Sequence, residues 1–297
     1  MNPRISIVTP SYNQGKFIKR TIDSVFDQEI EGLEMIVFDG GSTDETVEVL
    51  ESYGDRLFYV SEKDKGQSDA INKGFLKARG DVIGWLNSDD VYYPGSISAV
   101  LEIFAKYPEV DVIYGKADHI DEEDGYIEDY YTESWDYGKL KEICFICQPA
   151  VFFRRSVLEK YGVLNAALRF CMDYEFWLRI GQKKGFYFLD QKVAGSRLYA
   201  ENKTLGSRRK VHEEICSMLN DKFGTVPARW IYNLAHVIVE ESGESRENVE
   251  RNLRFVKSLI RTSAKCFLKY NKKVPLNEIR NMFGWYREAK KPAKGGG

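Results

Sequence analysis

Residues 82–94 read VIGWLNSDDVYYP, and the fold turns on this stretch. An apolar run from Val82 to Leu86 breaks off into Asn87, Ser88, Asp89 and Asp90, so hard oxygen donors stand at the end of a strand. That is where open α/β sheets bind their ligands. Adjacent carboxylates repel each other, and a strand that delivers such a pair points to a cation or a proton held between them. Asn, Ser and Asp are also ordinary turn formers, so the stretch takes its meaning from its neighbours.

Upstream, Ile5 to Pro10 (ISIVTP) reads as a strand ending in Pro10, Ser11, Tyr12 and Asn13, after which Phe17, Ile18, Ile22, Val25 and Phe26 recur at helical spacing. Glu34 to Asp39 is a second strand, closed by Gly40, Gly41, Ser42, Thr43 and Asp44, and the next helix carries Val47, Val49 and Leu50 toward the sheet. Leu57 to Val60 is a third strand, followed by a polar loop and a helix around Ala70 to Ala78. Strands alternating with helices, with turn residues at the strand ends, predict an α/β fold with a mostly parallel, doubly wound sheet.

The pattern changes after Asp111. Val112 to Tyr114 is a short strand, and the acidic segment Asp118 to Asp129 is either a mobile flap or a solvated turn, with its charge favouring the turn. A strand at Ala150 to Phe153, a helix at Met172 to Ile180, and two strands at Tyr187 to Leu189 and Val193 to Leu198 follow. Beyond Phe223 the remainder reads as helices. The expected division is an α/β domain over 1–222, a helical region over 223–290 and a disordered tail over 291–297.

The 297 residues are 43% hydrophobic and 30% charged, as in a soluble globular protein. No stretch approaches the ~20 apolar residues that cross a bilayer. The amino terminus enters a strand pattern directly instead of a signal peptide, which predicts a cytoplasmic protein. Five cysteines, an odd number set mostly in apolar runs, read as reduced and packed thiols. Cys144 and Cys147 form a C-x-x-C without a second pair, and His119, His212 and His236 share no ligand spacing, so no structural zinc site is expected. The net charge of −2 hides an asymmetry: residues 1–135 hold 12 Lys and Arg against 28 Asp and Glu, and residues 136–297 hold 31 against 17. The acidic half excludes a nucleic-acid surface there.

Six segments in series, TPSYN (9–13), DGGSTDET (39–46), KDKGQSDAINKG (63–74), WLNSDD (85–90), QPAVFFRR (148–155) and MDYEFWLR (172–179), resemble the inverting family 2 glycosyltransferases of GT-A fold, over roughly residues 1–205. The resemblance implies a nucleotide-sugar donor, with UDP the first expectation, and a donor nucleotide site of Thr9, Pro10, Ser11, Tyr12, Asn13, Asp39, Gly40, Lys65, Asp69, Asn87 and Ser88. Tyr12 offers a face for stacking, and Asp39 corresponds to the carboxylate that meets the nucleobase. Asp89 is implied as the metal ligand, with Asp90 either assisting or capping the next turn. The metal motif departs from the usual Asp-any-Asp, because its first position is Asn87. Mn²⁺ and Mg²⁺ both suit such oxygen ligands.

Asp173 matches the position of the general base, with Glu175 behind it; without the resemblance it reads as an acidic residue favoured by the helix dipole. Gln148 falls on the acceptor side. Arg197, with Tyr199 and Lys203, stands where relatives carry Arg-x-His before a loop, so Arg197 is implied on the leaving-group side and Tyr199 replaces the histidine. The implied reaction is metal-assisted transfer, with inversion, to a hydroxyl of a glycan or lipid-linked acceptor in surface polysaccharide assembly. A sugar-nucleotide binding scaffold that has lost catalysis is the rival from another class, kept open by Asn87 and Tyr199. A sugar nucleotidyltransferase is the other, and the Gly-rich loop it requires after the first strand is absent.

In the carboxyl-terminal part, Arg251, Arg254, Lys257, Arg261, Lys265, Lys269 and Lys272 recur every three or four residues, with no acid from Arg251 to Lys273. On a helix these line one face opposite Leu253, Val256, Leu259, Ile260, Phe267 and Leu268. Such a helix either lies peripherally on anionic lipid or packs on the catalytic domain with a solvated face.

Overall fold

The computed structural model describes residues 4–200, 205–244 and 249–291. Lys203 and residues 292–297 of the expected tail lie outside them. The described chain divides into two compact units, one of 1–140 and 144–202 and one of 141–143 and 203–297.

The first unit is built on a nine-stranded mixed sheet. Its strands are β1 (Ile5–Ser11), β2 (Leu33–Asp39), β3 (Phe58–Ser61), β4 (Val82–Trp85), β5 (Val91–Tyr92), β6 (Val112–Ile120), β7 (Tyr126–Asp129), β8 (Val151–Arg154) and β9 (Tyr187–Arg197). The order is β3-β2-β1-β4-β8-β6-β9-β5, with β7 paired to β6. β1, β2, β3 and β4 are mutually parallel, and β6 runs parallel to β9, whereas β8 is antiparallel to both β4 and β6. The chain steps outward from β1 to β2 and β3, then returns to the other side of β1 as β4. The carboxyl ends of β1 and β4 therefore flank the switch point of the topology, the crevice where such sheets take ligands.

Helices α1 (Gly15–Phe26), α2 (Thr46–Ser52) and α3 (Gln67–Lys77) connect these strands. α1 buries Phe17, Ile18, Ile22 and Val25, the helical spacing seen in the sequence. α3 lies very close to β1, because a Cβ on Gly74 would fall 2.2 Å from Val8 Cγ1. Beyond the expected elements come α4 (Ser96–Lys106), α5 (Tyr137–Glu142) and α6 (Ser156–Tyr161), before α7 (Met172–Gly181). The buried aromatics Phe75, Trp85, Phe153, Phe176 and Trp177 seat α7 on β4 and β8, with near-perpendicular rings such as Phe75–Phe153 at 5.5 Å and Phe153–Phe176 at 5.8 Å.

Two strand expectations need correction. β6 continues to Ile120 and pairs with β7, so the acidic segment 118–129 is a hairpin whose solvated turn is confined to 121–125. Its charges look uncompensated along the sequence because the partners are remote: Lys192 pairs with Asp118 at 2.6 Å and Asp129 at 2.7 Å, Arg20 pairs with Asp124 at 2.9 Å, and Arg197 also pairs with Asp124. The second correction is that Tyr187–Arg197 is one strand. Its polar middle, Asp190 and Gln191, is carried in an irregularity where Gly115 pairs with Leu189 and Lys116 with Lys192, so the break in apolar pattern is a bulge and not a turn.

The second unit is helical: α8 (Arg208–Phe223), α9 (Ala228–Glu241), α10 (Val249–Asn271) and α11 (Leu276–Ala289). α8 belongs to this unit, although the end of strand signals had put the boundary at 222. Ala235, Val239, Phe255 and Leu259 form its core, Asn271 closes it with paired bonds to the Val226 backbone at 2.7 and 2.8 Å, and the Tyr232 hydroxyl donates to Glu278 at 2.6 Å. No described helix is long and apolar enough to cross a membrane.

Candidate active site

The nucleotide-side residues sit at the ends of β1, β2 and β3, where Ser11, Asp39 and Ser61 stand in register across three strands. Asp39 is buried, and its carboxylate accepts from the Gly41 and Ser42 amides at 3.1 and 2.8 Å, from the Ser61 hydroxyl at 2.6 Å and from the Ser42 hydroxyl. Thr9 and Ser11, on the same face of β1, are buried with hydroxyl oxygens that have no hydrogen-bond partner. An unmet buried polar group is costly, and the Tyr92 hydroxyl and Trp177 Nε1 are unmet as well. Tyr12 is 60% exposed beside Gly40, where an added Cβ would sit 3.3 Å from the tyrosine ring and 2.9 Å from Asp64 Oδ2. Only a glycine leaves that notch open. Asn13, at φ +51°, ties the turn to the β2 loop through bonds to Ser42 and Thr43 at 2.7 and 2.9 Å.

Asp69 begins α3 and accepts from the Lys65 amide at 3.3 Å, with Lys73 Nζ at 3.3 Å. Desolvation pushes its carboxyl up, but the Lys65 amide and the Lys73 ammonium outweigh that and hold it below the usual range. Asp69 thus shapes the loop, and the Lys65 side chain is exposed.

After β4, Asn87 is the hub of a polar network. Its Oδ1 accepts from Gln67 Nε2 at 3.1 Å and Trp85 Nε1 at 3.0 Å, and its Nδ2 donates to Gln148 Oε1 at 2.8 Å and Asp90 Oδ2 at 3.2 Å. All four hydrogen-bonding positions of the amide are thereby used within the protein. Gln148 Nε2 also donates to the Trp85 carbonyl at 2.6 Å, and both Asn87 and Gln148 are half-buried. Ser88 is buried.

Asp89 and Asp90 follow. Asp89 Oδ2 accepts from the Tyr199 hydroxyl at 2.9 Å, and Gln14 Nε2 donates to that same hydroxyl at 3.3 Å. Asp90 is buried and accepts from the Arg197 amide at 2.9 Å. Burial, and then the neighbouring Asp89 charge, push the Asp90 carboxyl up to about 8, and burial also raises Asp89. The pair is therefore a desolvated diacid that favours a proton or a cation. Among the described residues no three acidic, His or Cys side chains converge as a metal cage. Mn²⁺ and Mg²⁺ do not require one, since one or two carboxylates with substrate phosphates commonly complete their shells. The donor set fits such an ion.

Arg197 is fully buried. Its guanidinium donates to the carbonyls of Asp89 at 2.7 Å and Asp121 at 2.6 Å, pairs with Asp124 and lies 4.9 Å above the Phe17 ring. It ties the Asp89 loop to the β6–β7 hairpin. Its expected place on the leaving-group side comes from the resemblance, and within the protein the guanidinium is engaged by these long-range partners.

Asp173 lies in the first turn of α7, half-buried. Burial pushes the Cys147 thiol far up, and the charges of Asp90 and Asp173 both add to the effect. The loop before α7 is pinned to α3 by Asn72, which bonds Leu164 N and O at 2.9 Å each, and by Ser68 on the Leu168 carbonyl at 3.2 Å. Glu175 is buried in a pair with Arg179 at 2.9 Å and braces that loop.

The glycosyl transferase family 2 profile matches residues 6–162, more than half of the chain. The chain belongs to glycosyl transferase family 2. It is 29% identical over 225 residues to an uncharacterized glycosyltransferase of Rickettsia prowazekii, covering 71% of this chain and 69% of that one. It is 29% identical over 208 residues to chondroitin synthase of Escherichia coli, covering 68% of this chain but 30% of the relative. The GT-A fold is shared with S. aureus TarS 1–349, solved in complex with UDP-GlcNAc (TM-score 0.62, 15% identity, 98% of this chain and 90% of that one). It is shared too with the mannosyltransferase PcManGT of Pyrobaculum calidifontis, solved with GDP-Man and Mn²⁺ (TM-score 0.54, 15% identity, 98% and 81%). As a family 2 member the chain is a glycosyltransferase acting on a nucleotide sugar.

Gln14, Arg20, Gln67, Ser42 and Ser61 join the site without having been expected there. Each acts on a residue distant in sequence or through an ordinary polar side chain, so no local pattern singles them out.

Proposed function

We propose that the chain moves a sugar from a UDP-linked donor to a hydroxyl of a glycan or lipid-linked acceptor, with inversion, in assembly of a surface polysaccharide or glycolipid. What supports this reading is the family membership together with the β1/β4 switch point, where the Ser11 and Asp39 edge and the desolvated Asp89–Asp90 pair stand at strand ends; Asp173, in the first turn of α7, is assigned as the base by the resemblance. Thr9, Pro10, Ser11, Tyr12, Gly40 and Asp39 receive the nucleotide, with Tyr12 stacking on the base. Lys65, exposed in the loop next to Asp64, is assigned to the same side of the donor site.

Asp173 takes the proton from the acceptor hydroxyl, whose oxygen forms a bond to the anomeric carbon as the bond to the diphosphate breaks on the opposite face. The nucleoside diphosphate leaves with the bonding electrons, and one displacement inverts the configuration. Asp89, with Asp90 beside it, would hold a divalent ion, Mn²⁺ or Mg²⁺, which would supply charge neutralisation for the diphosphate. Tyr199 orients Asp89, and Arg197 fixes the loop that carries it. The five thiols, four of them buried, support a cytoplasmic setting.

Thermal shifts against a panel of nucleotide sugars, with and without Mn²⁺, test the donor site. A Mn²⁺-dependent rise with a UDP-sugar and slow release of UDP are expected. Tight binding without turnover, equal in wild type and Asp173→Asn, would favour the scaffold reading instead.

A further inference from the structure

The basic stripe on α10 is exposed, as its spacing requires, but the apolar face opposite it is not available to a partner. Phe255, Val256, Leu259, Phe267 and Tyr270 are buried in the helical unit. The unburied apolar surface lies instead on α11, where Leu276 is 75% and Phe283 58% exposed and Ile279 is also exposed, at spacings of three and four residues along one ridge. Leu268 of α10 is exposed as well.

Cations border this ridge. A groove of about 260 Å³ between the two helices is lined by Lys257, Ile260 and Arg261 from α10 and by Ile279, Phe283 and Tyr286 from α11. The Arg287 guanidinium lies 5.5 Å from the Phe283 ring centre and Lys290 Nζ lies 5.0 Å from that of Tyr286. Residues 251–291 hold 12 Lys and Arg against two acids, of which Glu278 is buried against Tyr232. A surface with aliphatic and aromatic side chains flanked by cations matches the boundary between acyl chains and anionic headgroups.

We propose that α10 and α11 dock on an anionic lipid bilayer, with Leu276, Ile279 and Phe283 entering the acyl boundary while Lys257, Arg261 and Arg287 engage lipid phosphates. A second copy is a poorer occupant, because a two-fold interface sets the patch against itself and brings like charges together. Nucleic acid meets the cations but offers no apolar phase to the ridge. The proposal stands apart from the glycosyltransferase reading, since no residue in it belongs to the crevice.

The full chain is sedimented with vesicles of phosphatidylcholine alone and with 30% phosphatidylglycerol. Binding at least tenfold stronger to the anionic vesicles, weakened by salt, is expected. Lys257→Glu with Arg261→Glu lowers it tenfold or more, and Ile279→Ser with Phe283→Ser does likewise, while donor hydrolysis in solution and circular dichroism stay as in wild type. Equal partition to both vesicles, or no binding, overturns the proposal. So does loss of a dimer by light scattering in the Phe283→Ser variant without vesicle binding, or binding to a DNA duplex that survives the serine substitutions in place of vesicle binding. Should a variant fail to fold, the wild-type contrast between the two vesicles and its salt dependence still decides.

Discussion

The hydroxyl of Tyr199 donates to Asp89 Oδ2 at 2.9 Å, joining the end of β9 to the acidic loop after β4. The bond engages Oδ2, so if Asp89 holds the cation as proposed, Tyr199 orients that ligand. Groups that orient a metal ligand in this way change affinity by roughly 10–100-fold when removed. Tyr199→Phe is therefore expected to weaken Mn²⁺ binding about tenfold, read from the free Mn²⁺ spectrum by electron paramagnetic resonance, with the melting temperature little changed. Unaltered affinity would show that the phenol only fills space against Phe17.

Metal binding should also release a proton. Asp90 is pushed up to about 8 by burial and by Asp89, so the pair still holds a proton at neutral pH that an incoming cation has to displace. Mn²⁺ affinity is expected to rise from pH 6.5 to 8.5. Calorimetry in two buffers of different ionisation heat should show the proton released at the lower pH and less at the higher.

Asn87 explains how this diacid survives burial, because its amide donates to Asp90 where a third carboxylate would repel it. Asn87→Asp should destabilise the metal-free protein by about 2–3 kcal/mol, the scale of an unpaired buried polar group. Mn²⁺ should recover more stability in that variant than in wild type. Equal denaturant midpoints for the two metal-free proteins would contradict the network.

The hairpin clamp gives a prediction on the acid side. Desolvation raises the Asp124 carboxyl, but Arg197 and Arg20 outweigh it and hold the group below the usual range. A depressed carboxylate contributes stability above its unfolded value near ~4, and that contribution is lost as pH falls through the folded value. Asp124→Asn should thus lower the melting temperature at pH 7 and flatten its decline below pH 4. Parallel curves for the two proteins would assign the clamp to the backbone contacts alone.

Helix α3 depends on close approach to β1. Gly74→Ala puts a methyl 2.2 Å from Val8 Cγ1, and overpacking of this kind costs about 1–3 kcal/mol. Val8→Ala added to it should recover part of the loss, as a double-mutant cycle in urea would reveal.

The first four strands and three helices were legible because each is a short apolar run or a helical repeat closed by turn residues, and all are local. The strand that runs through Asp190 and the hairpin at Asp118–Asp129 were not, since a bulge interrupts one pattern and remote cations neutralise the other. The same division applies to the site. The places of Asp39, Asp89 and Asp173 at strand ends or a helix start are local and legible, while the roles proposed for them come from the resemblance. The engagement of Arg197 and Gln148, and of Asn87 with Gln148, is set by partners 60 to 110 positions away, and no linear pattern carries it.

The central claim is that Asp89 holds the donor's cation while Asp173 moves the proton, and steady-state and binding measurements on two variants separate these roles. With a UDP-sugar, Mn²⁺ and a saccharide acceptor, Asp173→Asn is expected to lose at least about 100-fold in kcat with donor Kd unchanged, and Asp89→Asn to lose Mn²⁺-dependent donor binding. Turnover by Asp173→Asn near the wild-type rate, or donor binding by Asp89→Asn that still responds to Mn²⁺ as wild type does, would contradict the account.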